Sequence, residues 1–321
     1  MRIATAPVNW NNADVDGYRA WTPYPQLLDQ MVAAGYVATE WGMNMEKDAG
    51  RLRKDLNARK LQPLGGFVGL ELRSPERRSA EIERGIQLAT FFRDIGATYL
   101  IVADSGDARR LSEAGHVNPV TGLSDEQWRC LGSGLNELGT RLAPEGIKVV
   151  FHNHVGTYVE TQDETARLLD ETDPQLVDWC FDCGHLAYGG GDNLDMLARY
   201  GNRIGYVHIK DVDKSVLEQA KTLGWSFAQA LKAYIFAPLG EGSAQIPEVL
   251  EKLRQANYQG WLVIEQDTTP IDPTETARQN REYLEKLLTQ LPPPTGRLIG
   301  TAADRSAGGQ VAEPTSSGNT L

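Results

Sequence analysis

The sequence predicts an α/β protein built as a (β/α)8 barrel. Three observations lead there. Short apolar runs alternate with longer segments whose apolar residues recur every three or four positions. Eight such units fit into about 290 residues, the usual size of a barrel. No Gly-x-Gly-x-x-Gly follows the first run, where a doubly wound dinucleotide-binding sheet would need it.

The runs read as strands are RIATAP (2–7), YVATEW (36–41), LQPLGGFV (61–68), TYLIVA (98–103), KVVFHNH (148–154), LVDWCFD (176–182), IGYVHIK (204–210) and WLVIEQ (261–266). Between them, YPQLLDQMVAAG, ERRSAEIERGIQLATFFRDIG, SDEQWRCLGSGLNELGTRL and IPEVLEKLRQANYQG carry helical spacing. Gly35, Gly96 and Gly260 are placed to end helices before the next strand. After Asp211 the segment VDKSVLEQAKTLGWSFAQALKAYIFAPLGEGSAQ separates the seventh strand from its helix. In a barrel such an insertion falls on the face that carries the active site and can cover it. Residues 1–291 are read as the catalytic barrel and 292–321, rich in Pro, Gly, Ser and Ala, as a disordered tail.

Composition narrows the function. The chain has 321 residues, 41 % of them apolar, enough for a sizeable core. Its formal charge of −11 and the lack of a basic run longer than two argue against nucleic acid as a partner. The start MRIATAPVNW has no apolar run of signal-peptide length and no 18-residue apolar stretch occurs, so neither secretion nor a membrane span is expected. Three cysteines, Cys130, Cys180 and Cys183, suit a reducing cytoplasm, where the chain is expected to reside. Cys180-x-x-Cys183 lies in the apolar run WCF with no second pair, and reads as core rather than as a zinc or redox motif.

Chemistry concentrates where the strands run out. Glu40, Asp104, His152, Asp182, His208 and Glu265 each follow an apolar run. Four of the five histidines, His152, His154, His185 and His208, fall at the ends of three successive strands. Alternation puts His152 and His154 on one side, with Asn153 opposite, and pairs His208 with Lys210. Any one of these residues alone would be an ordinary helix cap or a satisfied polar group. Their recurrence at one phase points to a divalent-metal site at the barrel mouth. His116, in a loop, keeps the ordinary reading. Gly240-Glu241-Gly242 lacks the Gly-Lys-Ser/Thr ending of a P-loop and reads as a close-packed turn near the substrate. Trp10 and Trp41 follow the first two strands, and serve either as an apolar wall for a sugar ring or as core.

These motifs carry a resemblance. VVFHNHVGTYVETQDETARLLDETDP, FDCGHLAYGGGD, RIGYVHIKDV, PLGEG and YQGWLVIEQD, with the opening IATAPVNWNN and TEWG, resemble the xylose-isomerase-like barrel superfamily of sugar isomerases and epimerases. The likeness runs from residue 2 to about 290 and is strongest to inosose dehydratases, which act on 2-keto-myo-inositol. It implies metal ligands at His152, Asp182, His208 and Glu265. Ketose epimerases carry glutamate at the strand-five position, where this chain has His152, and His154 or Glu160 is the alternative ligand. His154, His185, Lys210 and Glu40 are the implied acids and bases, and Trp10, Asn11, Trp41 and Glu241 the implied substrate contacts. The implied metal is Mn²⁺ or Co²⁺, with Fe²⁺ or Zn²⁺ also compatible.

The implied chemistry is loss of the proton beside a polarised ketone to give an enediolate, followed by acid-assisted expulsion of the β-hydroxyl as water. The expected activity is therefore a hydro-lyase acting on a keto-cyclitol or keto-sugar, with an isomerase or epimerase of the same superfamily as the alternative. The expected partner is a small polyol ketone, and a homo-oligomer is compatible with the sequence. Hydrolysis of damaged DNA on this fold is disfavoured by the net charge. A non-catalytic sugar-binding protein would be expected to have lost the ligands, and they are present.

Overall fold

The computed structural model describes residues 1–291, and the tail read at 292–321 lies outside the described residues. Eight parallel strands close a barrel: β1 (Arg2–Thr5), β2 (Ala38–Trp41), β3 (Gln62–Leu70), β4 (Tyr99–Asp104), β5 (Lys148–His152), β6 (Val177–Asp182), β7 (Ile204–Ile209) and β10 (Trp261–Ile264). They follow one another in sequence around the wall, and β1 pairs with both β2 and β10. Between β7 and β10, β8 (Asp211–Val212) and β9 (Phe236–Ala237) form a separate antiparallel ribbon. Each barrel strand overlaps one of the eight apolar runs read from the sequence.

Strand alternation builds two cores. Ala4, Ala38, Leu64, Ile101, Val150, Cys180, Tyr206 and Val263 cluster together in the barrel interior. Their neighbours in sequence, such as Leu100, Val149, Phe151, Phe181, Val207 and Leu262, pack outward on the helices. The helices are α1 (Tyr24–Ala33), α2 (Ala49–Ala58), α3 (Pro75–Ile95), α4 (Ala108–Ser112), α5 (Asp125–Leu142), α6 (Gln162–Glu171), α7 (Cys183–Tyr188), α8 (Asn193–Tyr200), α9 (Lys214–Leu223), α10 (Phe227–Lys232), α11 (Ile246–Gln255) and α12 (Pro273–Gln290). Among the described residues no helix is long and apolar enough to cross a membrane.

Two of the three glycine stops hold: Gly35 and Gly96 take φ of +89° and +92°. At Gly35 the turn closes with Gly35 N–H on the Val32 carbonyl and Tyr36 N–H on the Met31 carbonyl. Gly260 is different. Helix α11 ends earlier, and Asn257 takes the left-handed conformation at φ +54°. Gly260 is instead a packing position, because a Cβ there would lie 2.2 Å from the Tyr258 hydroxyl oxygen.

The insertion lies on the mouth side, as expected. β8, β9, α9 and α10 bury Val212, Leu217, Phe227, Leu231, Ile235 and Phe236 against Tyr188 of α7 and Val155 of the loop after β5. One carboxylate ties its two ends. Asp211 Oδ1 accepts the N–H groups of Val212 and Ala244 at 3.0 and 2.9 Å, and Oδ2 those of Gly240 and Gly242 at 2.9 and 3.1 Å. Gly240-Glu241-Gly242 is thus the close-packed turn expected of it, since a Cβ on Gly242 would fall 2.3 Å from Asp211 Oδ1. Asp211→Ala leaves four backbone donors without their acceptor, so it should lower stability by at least ~3 kcal/mol. Urea unfolding checks this, with a lower midpoint at unchanged m value expected.

Candidate active site

His152 ends β5, Asp182 ends β6, His208 is one residue from the end of β7, and Glu265 directly follows β10. Strand pairing sets Asp182 beside His208 and Cys180 beside His152. The ligand atoms of His152, Asp182, His208 and Glu265 all lie within 4.8 Å of one another, and all four residues are buried. His208 Nδ1 is 3.0 Å from His152 Nε2 and 3.3 Å from Glu265 Oε2, while His152 Nε2 is 3.4 Å from Asp182 Oδ2.

The two oxygens of Asp182 divide their work. Oδ1 caps α7 by accepting the His185 N–H at 2.7 Å. Oδ2 is buried with no hydrogen-bond partner. A buried carboxylate oxygen without a donor, facing two imidazoles and a second carboxylate, is the demand a divalent cation meets, and the mixed nitrogen and oxygen donors fit one. Asn153 points the other way, as alternation requires. It accepts the Trp179 indole N–H at 2.9 Å and donates to the Asp182 carbonyl at 3.1 Å.

Around the quartet a second set of groups fixes orientation. Glu40 Oε1 takes the His208 Nε2 hydrogen at 2.8 Å and the Tyr206 hydroxyl at 3.0 Å. Expected as an acid or base, Glu40 lines the cavity and through Oε1 turns the His208 ring so that Nδ1 faces the quartet. Burial alone would lower the His208 pKa, but Cys180, Glu265 and Glu40 hold it well above the imidazole range. Burial would likewise raise Asp182, yet the surrounding cationic and hydrogen-bonding groups, His185 and Lys210 first, keep it well below the carboxylate range.

Lys210 is buried with Nζ 2.7 Å from Asp267, 3.1 Å from Glu265 and 3.1 Å from His185 Nε2. Burial works against its charge, but Asp267, Glu265 and Asp182 outweigh that and keep it an ammonium. Burial pushes Asp267 up to about 7 despite Lys210. His185 stacks on His154 with ring centroids 4.0 Å apart, and its Nδ1 accepts the Val155 N–H at 3.2 Å. His154 Nδ1 bonds the Val155 carbonyl at 2.7 Å, and burial drives its pKa down to about 3, so the ring is neutral.

Above this floor opens a cavity of about 470 Å³ whose lining includes Asn11, Asp14, Trp21, Glu40, Trp41, Met43, Phe67, Arg84, His152, His154, His208, Lys210, Glu265 and Asp267. Of the expected substrate contacts, Asn11 and Trp41 line it. The Asn11 amide is already engaged, exchanging bonds with the Thr22 backbone at 2.8 and 3.0 Å. Trp10 and Glu241 are corrections. Trp10 belongs to the strand–helix core, its indole N–H on Thr274 Oγ1 at 3.2 Å, and Glu241 is exposed on the Asp211-held turn outside the cavity. His185 lies behind Lys210 rather than in the lining.

Glu160, the alternative ligand, is outside the quartet, accepting the Gly115 and Gly156 N–H groups at 2.7 Å each. Asp104 is a loop clamp paired with Arg73 at 2.6 Å. His116 bonds the Ala114 carbonyl of its own loop. Cys180 and Cys183 are buried and unpaired by disulfide, as read. The sequence reading missed Asp14, Asp267, Phe67, Arg84, Met43 and Trp21. For Asp267 a signal existed, since alternation sets it two residues from Glu265 on the same side.

The family model of the xylose isomerase-like TIM barrel matches residues 28–287, and the chain belongs to that family. Two of its relatives are an inosose dehydratase of Geobacillus kaustophilus, 34 % identical over 91 % of this chain and 96 % of that one, and the rhizopine catabolism protein MocC of Rhizobium meliloti, 34 % identical over 89 % and 88 %. Among solved structures, an L-ribulose 3-epimerase superposes with a TM-score of 0.68 at 16 % identity, covering 90 % of this chain and 95 % of that one. The IOLI protein with a bound zinc atom superposes with a TM-score of 0.68 at 14 % identity, covering 90 % and 99 %. At those identities the two superpositions describe the fold.

Glu40→Gln keeps the shape of the His208 support while removing its charge. Isothermal titration with Mn²⁺ should show ~10–100-fold weaker binding than the unsubstituted protein. Unchanged affinity would remove Glu40 from the orienting role.

Proposed function

We propose that the chain is a metal-dependent hydro-lyase that removes water from a keto-cyclitol, with 2-keto-myo-inositol as substrate and Mn²⁺ or Co²⁺ held by His152, Asp182, His208 and Glu265. The observation that carries the reading is the convergence of that quartet, with its unpartnered Asp182 oxygen, on a cavity that also holds a buried ammonium and a neutral imidazole. The full-length relatives named inosose dehydratase support the substrate. A divalent cation bound there supplies Lewis acidity, polarising a ketone oxygen so that the neighbouring C–H becomes acidic.

The side chains then divide the proton work. The backbone carbonyl that meets His154 Nδ1 can only accept, so the imidazole hydrogen is on Nδ1 and the lone pair on Nε2. His154 Nε2 takes the proton from carbon. Lys210 Nζ gives a proton to the departing hydroxyl. The Val155 N–H can only donate to His185 Nδ1, which puts the His185 hydrogen on Nε2, facing the ammonium donor to donor at 3.1 Å. Loss of a proton from Lys210 turns that opposition into a hydrogen bond, which offsets part of the hold that Asp267 and Glu265 keep on the proton. One C–H and one C–O bond break, a C=C bond forms, and water leaves. Asp267 and Glu265 hold the amine in place. Trp41 and Phe67 provide apolar cavity wall that limits water at the reacting carbons.

A proton NMR time course with 2-keto-myo-inositol in D₂O, run with the metal-loaded and the EDTA-stripped protein, tests this. Metal-dependent conversion to a dehydrated dione is expected. Deuterium entering beside the ketone without water loss would make the chain an isomerase or epimerase instead. Lys210→Met should lower kcat by ~10²–10⁴-fold, the contribution of a positioned acid, and a loss under threefold would take the proton-donor role away from it.

A further inference from the structure

We propose that Cys180, His152 and His208 form a second, softer cation site one side-chain layer below the quartet, taking thiophilic ions such as Cd²⁺, Zn²⁺ or Cu⁺ in place of Mn²⁺. This rests on the quartet being a cation site, because the two positions share both imidazoles. Cys180 is two residues before Asp182 on β6, so both side chains enter the barrel interior, Cys180 one layer deeper. Strand pairing sets Cys180 directly opposite His152 on β5 and Tyr206 on β7, the residue two before His208. The Cys180 sulfur and one ring nitrogen each of His152 and His208 lie within 4.8 Å of one another, all three residues buried.

The two donor sets differ in kind. The quartet offers two imidazoles and two carboxylates, which suit harder ions. The deeper triad exchanges both carboxylates for one sulfur, a set that favours soft ions. On binding, the Cys180 S–H bond and the His208 Nδ1–H bond break, both protons leave to buffer, and metal–sulfur and metal–nitrogen bonds form with no change of oxidation state. Cys183 is the internal control. Its thiol points at the Lys210 carbonyl 3.3 Å away, and it belongs to neither group of ligand atoms. A thiophilic ion drawn to the triad takes His152 and His208 from the quartet, so it excludes the catalytic ion and inhibits reversibly.

The test is a Cd²⁺ titration of the chelator-stripped full chain, followed in the ultraviolet for the thiolate-to-cadmium charge-transfer band, with Mn²⁺ affinity measured separately. One equivalent of Cd²⁺ should develop the band and displace bound Mn²⁺. Cys180→Ala introduces a residue that the barrel interior already holds at positions 4 and 38. It should abolish the band and weaken Cd²⁺ at least ~10-fold, while Mn²⁺ affinity stays within ~3-fold. Cys183→Ala should keep the band. Cys180→Ser serves as a second variant, and the Cd²⁺/Mn²⁺ competition on the unsubstituted chain needs no variant at all. Mn²⁺ binding with Cd²⁺ bound but no thiolate band, or a band that survives in Cys180→Ala, overturns the deeper site and leaves the quartet standing. Failure of both ions to bind overturns both.

Discussion

Four carboxylates, Glu40, Asp182, Glu265 and Asp267, are buried around one ammonium, Lys210, at the floor of the cavity. Charge of one sign cannot be buried in such excess without compensation, and the surrounding groups show how the protein answers it. His208 holds a proton far more tightly than an ordinary imidazole, while Asp267 gives way and titrates near neutrality. A divalent cation held in the quartet would relieve the same excess and would displace the His208 proton, coupling binding to proton release.

The strand-end acids look alike in sequence but serve different ends. Asp182 and Glu265 point into the quartet. Glu40 aims a neighbour's ring, Asp104 neutralises Arg73, and Asp211 gathers four backbone donors to close the insertion over the mouth. This division keeps the first group rigid. Asp182 Oδ1 and Glu40 are committed to bonds that leave Asp182 Oδ2 and His208 Nδ1 facing the quartet.

Much of this was legible before the structure. The eight strands and their order follow from apolar runs separated by helical spacing. The quartet follows from residues recurring at one phase of those strands, because alternation fixes which face a side chain takes. Alternation does not say which neighbour a polar atom meets. Nothing in the order of the strands shows that His208 and Tyr206 of β7 occupy the Oε1 of Glu40 on β2. Trp10 caps the short 3-10 turn Pro7–Asn9 after β1, where the strand period no longer applies, and it turns into the core. Glu241 shares a motif with Asp211-held glycines, but its role there comes from the turn and not from its side chain. Asn257 ended α11 in place of Gly260 because an asparagine also tolerates the left-handed conformation, leaving the glycine to meet a packing need that spacing does not reveal.

On this reading His152, Asp182, His208 and Glu265 bind one divalent ion. Equilibrium dialysis against Mn²⁺ with elemental analysis, on the unsubstituted chain and on Asp182→Ala, tests it most directly, with circular dichroism confirming that both are folded. One ion per chain is expected in the first and at least ~100-fold weaker binding in the second. Full metal content in a folded Asp182→Ala protein would contradict it.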